Sequence, residues 1–198
     1  MSWLNEVTLS CQSVTLKPMR LAHKEAILSA SLDGDLSQLW FTSVPDETKL
    51  DTYIEKALLH QKVEQGLSFV VVDNKTGEII GSTRLCNADR INKRIEIGYT
   101  WYAKSYQRTC VNTDCKLLLL THAFEQLNCI AVVFLTHWHN IKSRTAISRL
   151  GAKQDGVIRN HKIESDGAYR DSVIFSITEN EWPSVKKSLV HKIAAYKV

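Results

Sequence analysis

The sequence predicts a mixed α/β fold: a mostly antiparallel sheet with a parallel pair of strands near its middle and helices on both faces. Three observations predict it. Two strand-like runs flank Asn74-Lys75-Thr76-Gly77, and two more flank Ser165-Asp166-Gly167, each a hairpin signal. Between them, Cys129 to Leu135 is a continuous apolar run of strand length, the pattern of a parallel strand covered on both faces. Helical stripes separate these runs, so the middle of the chain reads as a β-α-β unit.

Taken in order, Val14 to Arg20 alternates as a first strand, and His23 to Leu32 and Thr48 to Gln65 read as helices around a loop containing Pro45. The second helix carries Leu50, Tyr53, Ile54, Ala57 and Leu58 on one stripe. Gly66 breaks it, and Leu67 to Asp73 and Glu78 to Leu85 form the first hairpin. Arg94 to Tyr102 alternates Ile95, Ile97, Tyr99 and Trp101 against Glu96, Gly98 and Thr100, which predicts one buried face and a second that presents Glu96. The loop Ala103 to Val111 leads to Asn112, the predicted N-cap of a helix whose apolar positions Leu117, Leu120, Phe124 and Leu127 are widened by Leu118 and Ala123. After the strand at 129–135, Asn140 opens a helix over 141–150 and Gly151 supplies its left-handed cap. Val157 to Ile163 and Asp171 to Ile177 make the closing hairpin, and the segment from Glu181 reads as an amphipathic helix.

Composition narrows the function. At 198 residues with 44% hydrophobic content and no repeat, low-complexity tract or linker, one domain over 1–198 is expected. The 25 basic and 21 acidic residues are interspersed with no run of like charge, which says little about nucleic acid, and no nucleic-acid partner is expected. Five cysteines at 11, 86, 110, 115 and 129 lack metal-type spacing, and with no secretory leader pattern a reducing cytoplasm is expected. No apolar run approaches the ~20 residues a membrane helix needs, so no membrane partner is expected.

The loop before the third helix is the most informative segment. A helix N-terminus offers unpaired N–H groups and a positive dipole end, so a loop entering it with Gln107 and Arg108 can hold a pyrophosphate without a metal. Glu96 is a candidate general base, against the alternative of an exposed or salt-bridged strand glutamate. His137 and His139 flank Trp138 on a predicted strand and invite a metal reading, but no spaced carboxylate or cysteine completes it. Cys110 as a covalent nucleophile lacks an identifiable histidine partner, and no G-x-S-x-G elbow is present.

Glu96-Ile97-Gly98-Tyr99, the loop Tyr106 to Thr113, Asn140 with Ser143, Leu150-Gly151-Ala152, Tyr169-Arg170-Asp171 and Glu181-Trp182-Pro183 together resemble the GNAT acetyltransferase superfamily, in its ribosomal-protein N-terminal acetyltransferase-like branch, over roughly residues 13 to 185. The resemblance implies a GNAT-like fold in which two parallel strands, here those ending near Trp101 and His137, splay apart to admit a pantetheine arm. Backbone groups of Thr100, Trp101 and Tyr102 would then face the cofactor. The family's pyrophosphate loop reads Gln/Arg-x-x-Gly-x-Gly/Ala and corresponds here to Gln107, Arg108, Thr109, Cys110, Val111, Asn112 and Thr113. Cys110 and Asn112 replace both small residues, and Cys110 is expected to crowd or strain the turn.

The implied activity is N-acyl transfer, with acetyl-CoA as co-substrate, no metal, and direct attack by a primary amine from a protein N-terminus or a small molecule. Glu96 is implied as direct or water-mediated base, Ser143 as the acid toward the departing thiolate, and Asn140 as a cofactor hydrogen-bonding group. Asp171 is expected either to share the substrate role of Glu96 or to pair with Arg170 or a hairpin backbone group. Lys142, Arg144 and Arg149 read either as phosphate partners or as a solvated helix face, and a monomer or homodimer is expected. The alternative, motivated by Cys110, is a catalytically idle acyl-CoA sensor.

Overall fold

The computed structural model describes residues 3–196. One open sheet of eight strands runs in the order β1-β2-β3-β4-β5-β6-β8-β7. The strands are β1 (Leu9–Ser10), β2 (Val14–Pro18), β3 (Leu67–Asp73), β4 (Ile79–Asp89), β5 (Arg94–Tyr102), β6 (Ala131–His137), β7 (Lys153–Ile163) and β8 (Tyr169–Thr178). Five α-helices accompany them among the described residues: α1 (Lys24–Ser31), α2 (Leu50–Lys62), α3 (Val111–Thr121), α4 (Ile141–Leu150) and α5 (Trp182–Ala195). Every neighbouring pair is antiparallel except β5 and β6, which are parallel. This is the mixed sheet the sequence predicts; β1, only two residues long, carries no periodicity to read.

Strand alternation feeds two cores, one on each face of the sheet. From β3, Leu67, Phe69 and Val71 join the helices α3, α4 and α5 through Leu119, Ile147 and Leu189. Val70 and Val72 point the other way and meet α1 and α2 through Ile27, Leu50 and Ile54. The sheet is thus covered on both faces, as its apolar runs require. Helix α4 shows the clearest local logic: Asn140 Oδ1 accepts from the amide of Ser143 at 3.0 Å, and Gly151 ends the helix at φ 107°. A Cβ at Gly151 would also lie 3.0 Å from Val185 on α5, so both backbone angle and space favour glycine there.

Two predicted details are corrected. The third helix starts at Val111 with Cys110 in the N-cap position, so Asn112 lies inside the first turn and is not the cap. Thr109 causes the shift: its hydroxyl donates to the Tyr106 carbonyl at 2.7 Å and accepts from the Val111 amide at 3.3 Å, which starts the helix early. The strict alternation expected along β5 also fails. Tyr99 adopts φ 51° and inserts an extra residue, so that Arg84 pairs with Gly98 while Ser82 pairs with Trp101. Ile95 and Ile97 face the α3 side, but beyond the bulge Trp101 faces α2 and Tyr102 faces α3.

Candidate active site

The bulge builds the cleft. Parallel pairing of β5 with β6 covers Arg94 with Ala131, Ile95 with Val132 and Glu96 with Val133, and then stops. Both strands continue, β5 to Tyr102 and β6 to His137, each held by its outer neighbour, with Tyr102 paired to Gly81 and His137 to Ser172. They have therefore diverged without fraying. A bulge bends and twists its strand, and here it draws β5 toward β4. Gly81 permits this: a Cβ there would lie 2.3 Å from the Trp101 carbonyl oxygen.

Glu96 occupies the last paired rung before the gap. Its Oε2 accepts from Asn87 Nδ2 at 2.8 Å, and a Cβ at Gly98 would lie 3.0 Å from its Oε1. Burial raises its pKa above the ordinary glutamate value, while the Asn87 hydrogen bond and the charges of Lys162 and Arg170 pull it part of the way back. Because Glu96 pairs with Val133, two-residue spacing puts Leu135 and His137 on the same face of the sheet. His137 is buried at the end of β6, and its Nδ1 accepts from the His139 amide at 3.0 Å. Burial, followed by the charge of Arg170, lowers its pKa and favours the neutral ring. Trp40 packs edge-on against that ring at 4.8 Å, with Phe41 at 6.2 Å, so the loop before α2 roofs this end of the cleft.

At the other end lies the loop into α3. Gln107 Nε2 donates to the Tyr102 carbonyl at 3.1 Å, tying the loop to the end of β5 and occupying that oxygen. The left-handed position is Arg108, at φ 62°, whereas Cys110 has helical angles of φ −68° and ψ −19°. The expected backbone strain at Cys110 is thus absent, since the turn makes its sharp bend two residues earlier. Arg108 is exposed and makes no ion pair among the described residues. The amides of Arg108, Thr109, Cys110, Asn112 and Thr113 have no protein acceptor among the described residues. A run of free amides at a helix N-terminus fits an anionic diphosphate. The Cys110 thiol is raised by burial and by a hydrogen bond to Asp114, which disfavours a nucleophilic thiolate.

The remaining predicted residues are distributed as follows. The Thr100 hydroxyl turns to Thr83 at 2.7 Å and to Lys116 Nζ at 2.6 Å. The Trp101 indole donates to Tyr53 Oη at 3.2 Å in the α2-side core, so Trp101 offers the gap only its backbone. Ser143 is half-buried on the first turn of α4, while Asn140 spends its carbonyl oxygen on capping and keeps only its amide group for another partner. Asp171 is engaged by the Asn160 amide at 2.7 Å and by Arg159 at 4.0 Å, which matches the hairpin-backbone alternative. Arg144 stacks on Trp138 at 4.4 Å and Arg149 bonds Tyr196, so neither reaches for a phosphate here. His139 lies beyond the end of β6, in a turn and not on a strand as expected, although the rings of His137 and His139 are 5.6 Å apart. Among the described residues no group of three or more His, Cys, Asp or Glu side chains is arranged to hold a metal.

Sequence reasoning missed Trp40, Phe41, Lys116 and Arg84. Arg84 is 2% exposed, with its guanidinium 4.4 Å from the ring centres of both Tyr53 and Tyr99. For Arg84 and Lys116 the available signal was a charged residue inside an apolar strand or helix stripe, and for Trp40 and Phe41 there was none.

The acetyltransferase (GNAT) domain family matches residues 13–153 of this sequence, a span from β2 to the first residue of β7 that contains the cleft and the amide-rich loop. The chain belongs to the GNAT acetyltransferase family. A relative from Bacillus subtilis (strain 168), named "Putative ribosomal N-acetyltransferase YdaF", is 28% identical over 155 residues, 74% of this chain and 80% of that protein. A GCN5-related N-acetyltransferase from Brucella melitensis superposes with a TM-score of 0.86 at 26% identity, covering 95% of this chain and 86% of that one. Mycobacterium smegmatis RimJ, solved in complex with CoA-disulfide, shares the fold at a TM-score of 0.75 and 23% identity, over 90% of this chain and 88% of that one. As a GNAT protein the chain is an N-acetyltransferase, a family that uses acetyl-CoA. No helix among the described residues is long and apolar enough to cross a membrane.

Proposed function

We propose that this protein acetylates the α-amine of a protein N-terminus, with acetyl-CoA bound across the α3 loop and the gap between β5 and β6. The observation that carries the reading is the half-buried Glu96 carboxylate at the rung where the two strands part. The free amides of Arg108, Thr109, Cys110, Asn112 and Thr113 hold the diphosphate, with the exposed Arg108 side chain supplying positive charge. The open strand edges orient the thioester arm, and holding amine and thioester together is the largest contribution, worth up to ~7–11 kcal/mol in a well-aligned site.

Glu96 accepts the proton of the attacking amine, directly or through one water, and its raised pKa brings its basicity closer to neutrality. An α-amine, with a pKa near ~8, is about a tenth neutral at pH 7, whereas a lysine-type amine near ~10.4 is neutral in less than about one part in 10³. This favours α-amines, and the name of the Bacillus relative points the same way. Ser143 donates a hydrogen bond to the departing thiolate and passes it a proton that solvent water replaces on the hydroxyl; a thiol of pKa ~8.5 leaves readily, so this step contributes less than positioning. Free thiols at all five cysteines suit a reducing compartment, and the cytoplasm is the proposed location.

The test is thiol release from acetyl-CoA against three acceptors: peptides with free N-termini, Nα-blocked peptides containing lysine, and polyamines. Release with the free α-amines, at least about tenfold faster than with the others, is expected from the amine pKa values. Binding of acetyl-CoA without release on any amine would replace the reading with the sensor.

A further inference from the structure

Lys116 is a buried cation with no counter-ion among the described residues. It lies on the second turn of α3, is 5% exposed, and has no carboxylate within ion-pair distance among the described residues. Its Nζ donates to Thr100 Oγ1 at 2.6 Å and sits 6.0 Å from the centre of the Phe134 ring. Those two contacts belong to the two strands that have parted: Thr100 lies on β5 past its last rung with β6, and Phe134 is the first residue of β6 past that rung. The ammonium therefore lies under the gap, bridging its two sides. An ammonium has three N–H donors, and one protein acceptor is present among the described residues. A buried donor without a partner is costly, and a charged one more so. Nothing in the packing of α3 explains this cost, since a leucine or methionine would fill the same space.

We propose that Lys116 positions the acyl donor, donating from Nζ to an amide carbonyl of the pantetheine arm in the gap between β5 and β6. This rests on the acetyl-CoA reading of the cleft. The arm carries two amide carbonyls and no charge, so it offers acceptors to the ammonium without neutralising it. Thr100 fixes the direction of the donor: its hydroxyl is held by Thr83 at 2.7 Å, which leaves the free N–H groups of Lys116 to turn into the gap. The surroundings also set when the group is charged. Burial lowers the Lys116 pKa from 10.5 to about 8, so the ammonium form persists at neutral pH and is lost just above it. Thr83, Thr100 and Phe134 do not titrate. The neighbouring thiols of Cys115, pushed up to about 12, and Cys86, also pushed up by burial, stay protonated through that range, as does the buried Tyr102 hydroxyl. Asp114, on the same helix, accepts from Ser13 Oγ at 2.5 Å and makes no ion pair with Lys116.

The experiment compares two ligands by calorimetry: acetyl-CoA, and adenosine 3′,5′-bisphosphate, which lacks the arm. Lys116→Met should weaken acetyl-CoA by about tenfold or more, the size of one lost charge-assisted hydrogen bond, and leave the bisphosphate within about twofold. In the unaltered protein, acetyl-CoA affinity should fall between about pH 7 and about pH 9 while bisphosphate affinity does not, and this difference should vanish in Lys116→Met. The pH series on the unaltered protein keeps the test independent of how the variant folds. Equal or tighter binding of acetyl-CoA by Lys116→Met, or equal loss of both ligands, overturns the proposal. An unaltered protein that binds the bisphosphate and not acetyl-CoA, or neither, overturns the cofactor reading itself and with it this inference.

Discussion

Replacing Lys116 with methionine should make the protein more stable. The side chain is 5% exposed, and its pKa falls from 10.5 to about 8 because burial disfavours the charged form. At about 1.4 kcal/mol per pH unit, that displacement corresponds to roughly 3 kcal/mol of destabilisation carried by the ammonium at neutral pH. Methionine removes the charge, keeps most of the volume, and forfeits one hydrogen bond worth about 1 kcal/mol. Thr100 Oγ1 retains Thr83 as a partner, so no buried hydroxyl is orphaned. The net gain is about 2 kcal/mol at pH 7, or a Tm rise of roughly 4–8 °C for a chain of this size. The pH dependence has a definite sign. Between about 8 and 10.5 the unfolded chain holds a proton that the folded chain has released, so the unaltered protein gains stability as pH rises through that window. The advantage of Lys116→Met should therefore be full below about pH 8 and gone above about pH 10.5. Urea denaturation of both proteins at several pH values measures this directly. A variant less stable than the unaltered protein at neutral pH, or an advantage independent of pH, would refute the assignment of a buried, unpaired charge. A gain in stability together with a loss of acetyl-CoA affinity would mark a residue kept for binding.

Other substitutions probe the rest of the cleft. Glu96→Gln should lower turnover by about 10²-fold or more with little change in acetyl-CoA affinity, and should abolish an acid limb of the pH–rate profile lying above the ordinary glutamate range; an unchanged profile removes Glu96 from the chemistry. Gly98→Ala would bring a methyl group to 3.0 Å from Glu96 Oε1 and 3.4 Å from Cys86 Sγ, so turnover should fall while acetyl-CoA binding stays within about twofold. Asn140→Ala removes the α4 cap and should cost about 1 kcal/mol in urea denaturation, with a further loss in acetyl-CoA affinity if its amide group contacts the donor. Cys110→Gly should improve acetyl-CoA affinity by less than about threefold, because the helical angles at Cys110 do not call for glycine.

Elements whose causes are local in sequence were legible. The run from Cys129 to Leu135 announced β6, and Asn140 and Gly151 bounded α4, because capping depends on neighbours within a turn. The bulge at Tyr99 was not, since it needs Gly81 on the opposing strand to let the two backbones close, and no property of Tyr99 itself reveals that. Asn112 looked like the better cap on propensity, yet Thr109 bonded the Val111 amide first. Lys116 stood in a helix where a lysine ordinarily reads as solvated, and only the meeting of α3 with two parted strands shows it buried. Trp40 and Phe41 reach the cleft through a loop whose path is set by tertiary contact with His137, about a hundred residues away.

The most direct measurement is a crystal structure with coenzyme A bound. The account predicts the diphosphate within hydrogen-bonding distance of the amides between Arg108 and Thr113, and the arm between β5 and β6 with its thiol end beside Glu96. Coenzyme A seated away from that gap, or a gap closed by continuous β5–β6 pairing beyond Glu96, would contradict it.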